Sequence, residues 1–242
     1  MQEPRVIYEN EDFLAVEKPA GLLVHPATKS SRESTLVDWL IKRYPEIRDV
    51  GDDPALRPGI VHRLDRGTSG VMVVAKTRAC FEHLKSLFGT GKIMKRYIAV
   101  VHGSVRDSHG VVDRPVSLKP GTIRRTVHKG KMEKTALTEY RVLRRVEREG
   151  EKYSVLEVWP RTGRTHQIRI HLKSIGHPLV GDPLYGLRGE GGRTSRLMLH
   201  AFSLEFADRT GTRFALESSP PEEFAQWFSY PQGGRIGGPP VL

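Results

Sequence analysis

The chain has 242 residues, with 39 Lys and Arg against 28 Asp and Glu, a formal net charge of +11 and 38% hydrophobic residues. That content supports a buried core and rules out wholesale disorder, and a single cysteine, Cys80, rules out a disulfide scaffold or a Cys-based zinc ribbon. No apolar run approaches the roughly 20 residues of a membrane span and the first five residues carry no leader pattern, so a soluble, cytoplasmic protein without membrane partners is expected.

Residues 5–8 and 13–16 read as short strands joined around residues 9–12. Ser34 can cap a helix with Leu36, Val37, Leu40 and Ile41 on one face; it stops at Tyr44, because Pro45 pushes its predecessor out of the helical region. Residues 49–60, with Gly51, Pro54, Pro58 and Gly59, are loop-like. The apolar, β-branched run 71–75 predicts a buried strand. Thr77 can then cap a helix with Cys80, Phe81, Leu84, Leu87 and Phe88 inward, ending at Gly89 or Gly91. Residues 97–101 form another strand, and the polar, basic stretch 117–135 reads as a long excursion from the core. Strands resume at 137–146 and 153–159. Ile168, Leu172 and Ile175 share one face of a helix over 166–175 that ends at Gly176. A strand at 197–206 and a helix at 221–229 follow. Residues 231–242 are Gly/Pro-rich and expected to be a flexible tail. Strands outnumber helices without strict alternation. The expected class is α+β, one domain over residues 1–230 on a mixed, largely antiparallel sheet with flanking helices.

The positive charge is clustered. Lys92, Lys95 and Arg96 form one group; Arg124, Arg125, Lys129, Lys131 and Lys134 another; Arg141, Arg144, Arg145 and Arg148 a third; Arg161, Arg164 and Arg169 a fourth. Basic groups with few acids between them favour a polyanion, and RNA or DNA is the commonest. Several other readings fail. Gly67-Thr68-Ser69-Gly70 lacks the residue a nucleophile elbow needs between serine and the second glycine. His166 and His171, five apart, do not share a helix or strand face, and no acidic cluster stands near them or His177, so no metal site is expected. There is no phosphate-binding glycine loop. Cys80 reads as core.

Two segments remain. His62-Arg63-Leu64-Asp65-Arg66-Gly67-Thr68-Ser69-Gly70 sets one carboxylate between two arginines just before a buried strand. Arg161-Thr162-Gly163-Arg164-Thr165-His166-Gln167-Ile168-Arg169 gathers cations at a loop-to-helix junction, where free N–H groups favour anions.

With Lys95-Arg96-Tyr97 through His102-Gly103, with Gly176-His177-Pro178 and Gly181-Asp182 through Tyr185-Gly186, and with the opening Glu17-Lys18-Pro19-Ala20-Gly21, these segments resemble the RluA family of RNA pseudouridine synthases over residues 6–207. The signature begins within the first ten or so residues, so the catalytic domain is expected without the small RNA-binding module many relatives carry ahead of it. The resemblance implies isomerisation of uridines in rRNA or tRNA, RNA as partner, a monomer, and no cofactor or metal. Asp65 would be the catalytic carboxylate, attacking C1′ or removing a proton from C2′, and Tyr97 would stack on the uracil. Arg169 would pair with Asp65, since a nearby opposite charge favours an ionised carboxylate. Arg63 would fill the gap left by a flipped base, and His62 would line the pocket or buttress its loop. Ile168 and Val180 would form the uracil wall. Arg66, Arg124, Arg125, Lys129, Lys131, Arg164 and His166, with Arg63 and His62, complete the expected RNA contacts.

Overall fold

The structure, a computed structural model, describes residues 2–26, 33–122, 124–187 and 196–228; the expected tail lies outside them. β1 (Arg5–Glu9) and β2 (Phe13–Lys18) form the opening hairpin, turned by Asn10, whose side-chain oxygen accepts the N–H groups of Asp12 and Phe13. α1 (Leu36–Arg43) is capped by Thr35 rather than Ser34. Thr35 Oγ1 accepts the Asp38 N–H and the Asp38 carboxylate accepts the Thr35 N–H at 2.8 Å. That reciprocal box needs a carboxylate three residues on, which only Thr35 has. After a short 3-10 turn (Pro45–Asp49) come β3 (Ser69–Ala75) and α2 (Arg78–Thr90), the latter capped by Thr77 and closed by Gly91 at φ +70°.

The remaining elements are β4 (Met94–His102), β5 (His109–Asp113), β6 (Val116–Leu118), β7 (Arg125–Thr126), β8 (Lys131–Lys134), β9 (Leu137–Arg148), β10 (Glu151–Pro160), α3 (Gln167–Ser174), β11 (Leu199–Ala207), β12 (Arg213–Glu217) and α4 (Glu222–Phe228). The sequence reading contains no β5 or β12. Its basic excursion is itself folded, as a small sheet ordered β7-β6-β8.

The main sheet runs β1-β2-β3-β11-β4-β10-β9-β5, with β12 also paired to β11. All its pairs are antiparallel except β3 with β11. Gly70 makes that parallel contact; at φ +121° its backbone lies so close to Ala201 that any Cβ would collide with it. Both faces of the sheet are covered, which explains the continuous apolar runs. Leu14, Val16, Met72 and Val74 pack on one side with Leu36, Val37 and Leu40 of α1. Phe13, Ala15, Val71 and Val73 pack on the other with Cys80, Phe81 and Leu84 of α2. The same alternation in β4 sends Ala99 and Val101 towards Ile168 and Leu172 of α3, and Ile98 and Val100 towards Phe224 and Trp227 of α4. Among the described residues no helix is long and apolar enough to cross a membrane.

Candidate active site

The loop entering β3 and the loop entering α3 face each other across a cavity of about 520 Å³, floored by Tyr97 and Leu199 of the sheet. Leu64 anchors the first loop in the core, and a turn from the Thr68 N–H to the Asp65 carbonyl presents the Asp65 carboxylate to the opening. Arg169 Nη1 donates to Asp65 Oδ2 at 3.1 Å, the pairing expected from the resemblance.

Arg169 does not stand alone. Its Nε and Nη2 donate to the two carboxylate oxygens of Asp182 at 2.8 and 2.7 Å. The Asp182 side chain is 0% exposed and also accepts the N–H groups of Leu184 and Tyr185. Burial would raise its pKa, but the guanidinium and the two N–H donors outweigh burial and hold it below the usual carboxylate range. Burial would likewise lower Arg169, and the two carboxylates keep it above its ordinary value. The Tyr185 ring covers the guanidinium at 5.0 Å. Sequence reasoning gave Asp182 no role. A carboxylate just after the apolar stretch Pro178-Leu179-Val180 was the available signal, since burial there demands a partner.

His166, the residue before α3, is left-handed at φ +57°. Its Nδ1 lies 2.9 Å from the Tyr185 hydroxyl, which also accepts the backbone N–H of Arg125 from β7 at 2.9 Å. With the hydroxyl proton directed to Nδ1, the imidazole keeps its own on Nε2, 3.8 Å from Asp65 Oδ2. Burial lowers its pKa, so the ring is neutral at pH 7. Gln167 fixes the rest of this loop: its side-chain oxygen accepts from Thr162 and Arg164, and its nitrogen donates to Leu137 and Thr138.

His62 buttresses its loop while lining the cavity. Nε2 accepts the Val73 N–H at 3.1 Å and the ring stacks on Phe88 at 4.4 Å. Burial, with a smaller push from Lys95, drives its pKa to about 3, so it brings no charge to a phosphate. Any contact it makes to RNA from the cavity wall is then that of a neutral ring. Val180 is a correction to the expected uracil wall. It packs with Ile98, Val100 and Met198 on the α4 side of the sheet and exchanges backbone bonds with Val100 and Met198, away from the cavity. Leu199 supplies apolar floor that the sequence reading omits, alongside Ile168.

Arg63 sits exposed at the rim, its Nη1 3.3 Å from His25 Nε2. Arg66 turns back to the Gly21 carbonyl and to Glu33 at 3.2 Å. Arg124, Lys129 and Lys131 are exposed on the small sheet, whereas Arg125 is half-buried and its Nε finds no partner among the described residues. Arg164 Nε donates to the Thr135 carbonyl, bringing the base of that sheet to the cavity. His171 and His177 are bound to the carbonyls of Arg114 and His102, apart from His166.

Two histidines carry a stability prediction. His62 has a folded pKa of about 3, and His200, buried between Ser69 and the Ser218 carbonyl, of about 4, both lowered chiefly by burial. An unfolded histidine titrates near 6.5. The unfolded state therefore binds the extra protons below that value, and stability falls as pH drops through 6.5 towards 4. Each ring contributes up to about 1.4 kcal/mol per pH unit. Urea unfolding from pH 6.5 to 5 should show this slope, and His62→Gln, which keeps an acceptor for the Val73 N–H, should reduce it. An unchanged slope would contradict the assignment.

A sequence profile described as RNA pseudouridylate synthase matches residues 12–174. The chain is 40% identical over 235 residues to an uncharacterized RNA pseudouridine synthase of Aquifex aeolicus, covering 93% of this chain and 72% of that protein. It is 39% identical over 235 residues to the ribosomal large subunit pseudouridine synthase D of Pseudomonas aeruginosa, covering 92% and 70%. Among solved structures, the human RNA pseudouridylate synthase domain containing 1 superposes with a TM-score of 0.74 at 28% identity, covering 92% of this chain and 84% of that one.

Proposed function

The chain belongs to the RNA pseudouridylate synthase family, and from that premise we propose that it isomerises a uridine of large-subunit ribosomal RNA, with Asp65 as the catalytic carboxylate. The observation that carries the reading is Asp65 at the mouth of a nucleotide-sized cavity, its carboxylate held by an arginine that a second, buried carboxylate holds in turn. The substrate class follows the similarity to the large-subunit enzyme of P. aeruginosa. Work on ribosomal RNA would be done in the cytoplasm, and that substrate supports a cytoplasmic protein.

A paired uridine hides C1′ and C5, so the base must leave the helix, at a cost of a few kcal/mol. Arg63, exposed at the rim, takes its place in the stack. Asp65 then acts on the ribose at C1′ or C2′ as the N1–C1′ bond breaks, the uracil turns on the Tyr97 ring, and C5 joins C1′. C5 must finally lose its proton and N1 gain one. Burial raises the pKa of the Tyr97 phenol, and Asp65 raises it further, so it is protonated at rest. It accepts the C5 proton only while passing its own to the Asp65 carboxylate. Tyr97→Phe keeps the ring and removes this relay; RNA affinity should stay within about threefold while kcat falls about 10²–10⁴-fold. Full retention of kcat would reduce Tyr97 to a stacking surface.

The direct test is incubation with unmodified large-subunit rRNA and tRNA transcripts followed by carbodiimide mapping. Pseudouridine at one or a few rRNA positions is expected. Free uracil in its place would point to a hydrolase.

A further inference from the structure

Lys95 and Tyr97 stand two residues apart on β4, so both side chains leave the same face, and both line the cavity. Among the described residues, several cations in or beside the cavity are matched by acids, whereas Arg63 at the rim meets only His25 and Arg164 only the Thr135 carbonyl. Arg161 pairs with Glu139 at 2.6 Å, Arg96 with Glu217 at 3.0 Å and with Glu205 and Glu157, and Arg169 with Asp182 and Asp65. Lys95 is half-buried, and its one polar contact among the described residues is the Thr162 carbonyl at a long 3.4 Å. Gly163 leaves room beside the ammonium; even a Cβ there would stand 3.9 Å from Nζ. The neighbouring charge is Arg164, again positive, with only its Nε engaged among the described residues.

A cation withdrawn from water without a counter-charge is costly, and two side by side more so. An anion entering the cavity would offset that cost. Resting on the reading that the substrate is RNA, we infer that Lys95, with Arg164, forms a subsite for one phosphodiester next to the extruded uridine.

The electrostatics agree. Burial, helped by Arg164, lowers the Lys95 pKa to about 8. The other groups facing it are His62, neutral at this pH, Arg161 with its partner Glu139, and the Thr162 carbonyl. A bound phosphate favours the ammonium, so RNA binding should take up a proton as pH passes 8.

The test measures the Kd of the full-length protein for a fluorescently labelled large-subunit rRNA fragment from pH 6.5 to 9.5 at fixed ionic strength. For the wild type, Kd should be level below about pH 8 and rise above it by up to tenfold per unit. Lys95→Arg should keep the affinity and lose the rise, because a guanidinium stays charged. Lys95→Met should bind about tenfold more weakly at pH 7, with a log–log salt slope shallower by about 0.7. A rise that persists in Lys95→Arg, or an unchanged Kd and salt slope in Lys95→Met, would overturn the subsite. Should the wild type form no pseudouridine while these binding results hold, the isomerase reading fails and the phosphodiester subsite stands.

Discussion

Replacing Asp182 with alanine is expected to lower the unfolding free energy by about 3–5 kcal/mol, the usual cost of stranding one partner of a buried ion pair. Its carboxylate receives four hydrogen bonds, two from the Arg169 guanidinium and one each from the Leu184 and Tyr185 N–H groups. Alanine would leave those donors without acceptors, and Arg169, itself 5% exposed, would keep only Asp65. On the proposed role of Asp65, turnover should fall as well, by at least about 10²-fold, because a guanidinium released by an ångström no longer orients the Asp65 carboxylate. Asp182→Asn keeps an acceptor for the two N–H groups and loses the charge, so it should fall between wild type and alanine. Denaturant unfolding beside pseudouridine formation separates the two effects. A stability loss below about 1 kcal/mol for the alanine variant would mean that Asp182 is not the anchor.

Asp65→Asn is expected to abolish detectable pseudouridine formation, a loss of roughly 10⁴-fold or more, as for other single catalytic groups. The amide retains size and an acceptor oxygen for Arg169 but can neither attack C1′ nor take a proton. The side chain is 20% exposed at the cavity mouth, and the amide fills the same volume, so the packing around it is kept. RNA affinity should therefore stay within a few-fold. Asp65→Glu, which restores the charge one methylene away, should remain down by about 10²-fold. Gel-shift affinity and base mapping on the same preparations would distinguish lost chemistry from lost binding, and residual turnover in the asparagine variant would move the catalytic role elsewhere.

Features that depend on neighbours in the chain were legible in the sequence. Thr77 and Gly91 bound α2 as expected, because a cap and a left-handed stop are local devices. The apolar run of β3 announced a strand covered on both faces. β5 and β12 left little trace: each is short and mostly exposed, with Val112 or Leu216 as its one buried position, and each exists because of its partner strand. The site divides in the same way. Asp65 and Arg169 were readable from their motifs, but the Asp182 clamp depends on α3 bringing residues 169 and 182 together. Lys95, Arg164 and His62 meet from three distant segments, and only the fold reveals that, among the described residues, neither Lys95 nor Arg164 is ion-paired. Val180 shows the opposite failure, a position inferred from likeness that the turn after α3, bonded to Val100 and Met198, carries to the α4 side of the sheet.

The single oxygen of Tyr185, shared between Arg125 and His166, means that the small basic sheet and the cavity around Asp65 cannot be engineered independently. Grafting such a sheet from another enzyme to redirect target choice would change the hydrogen bonding of that phenol, and through the imidazole the environment of Asp65. A chimera selected only for capturing a new RNA should therefore inherit an altered catalytic rate, which a compensating change around residue 185 could restore.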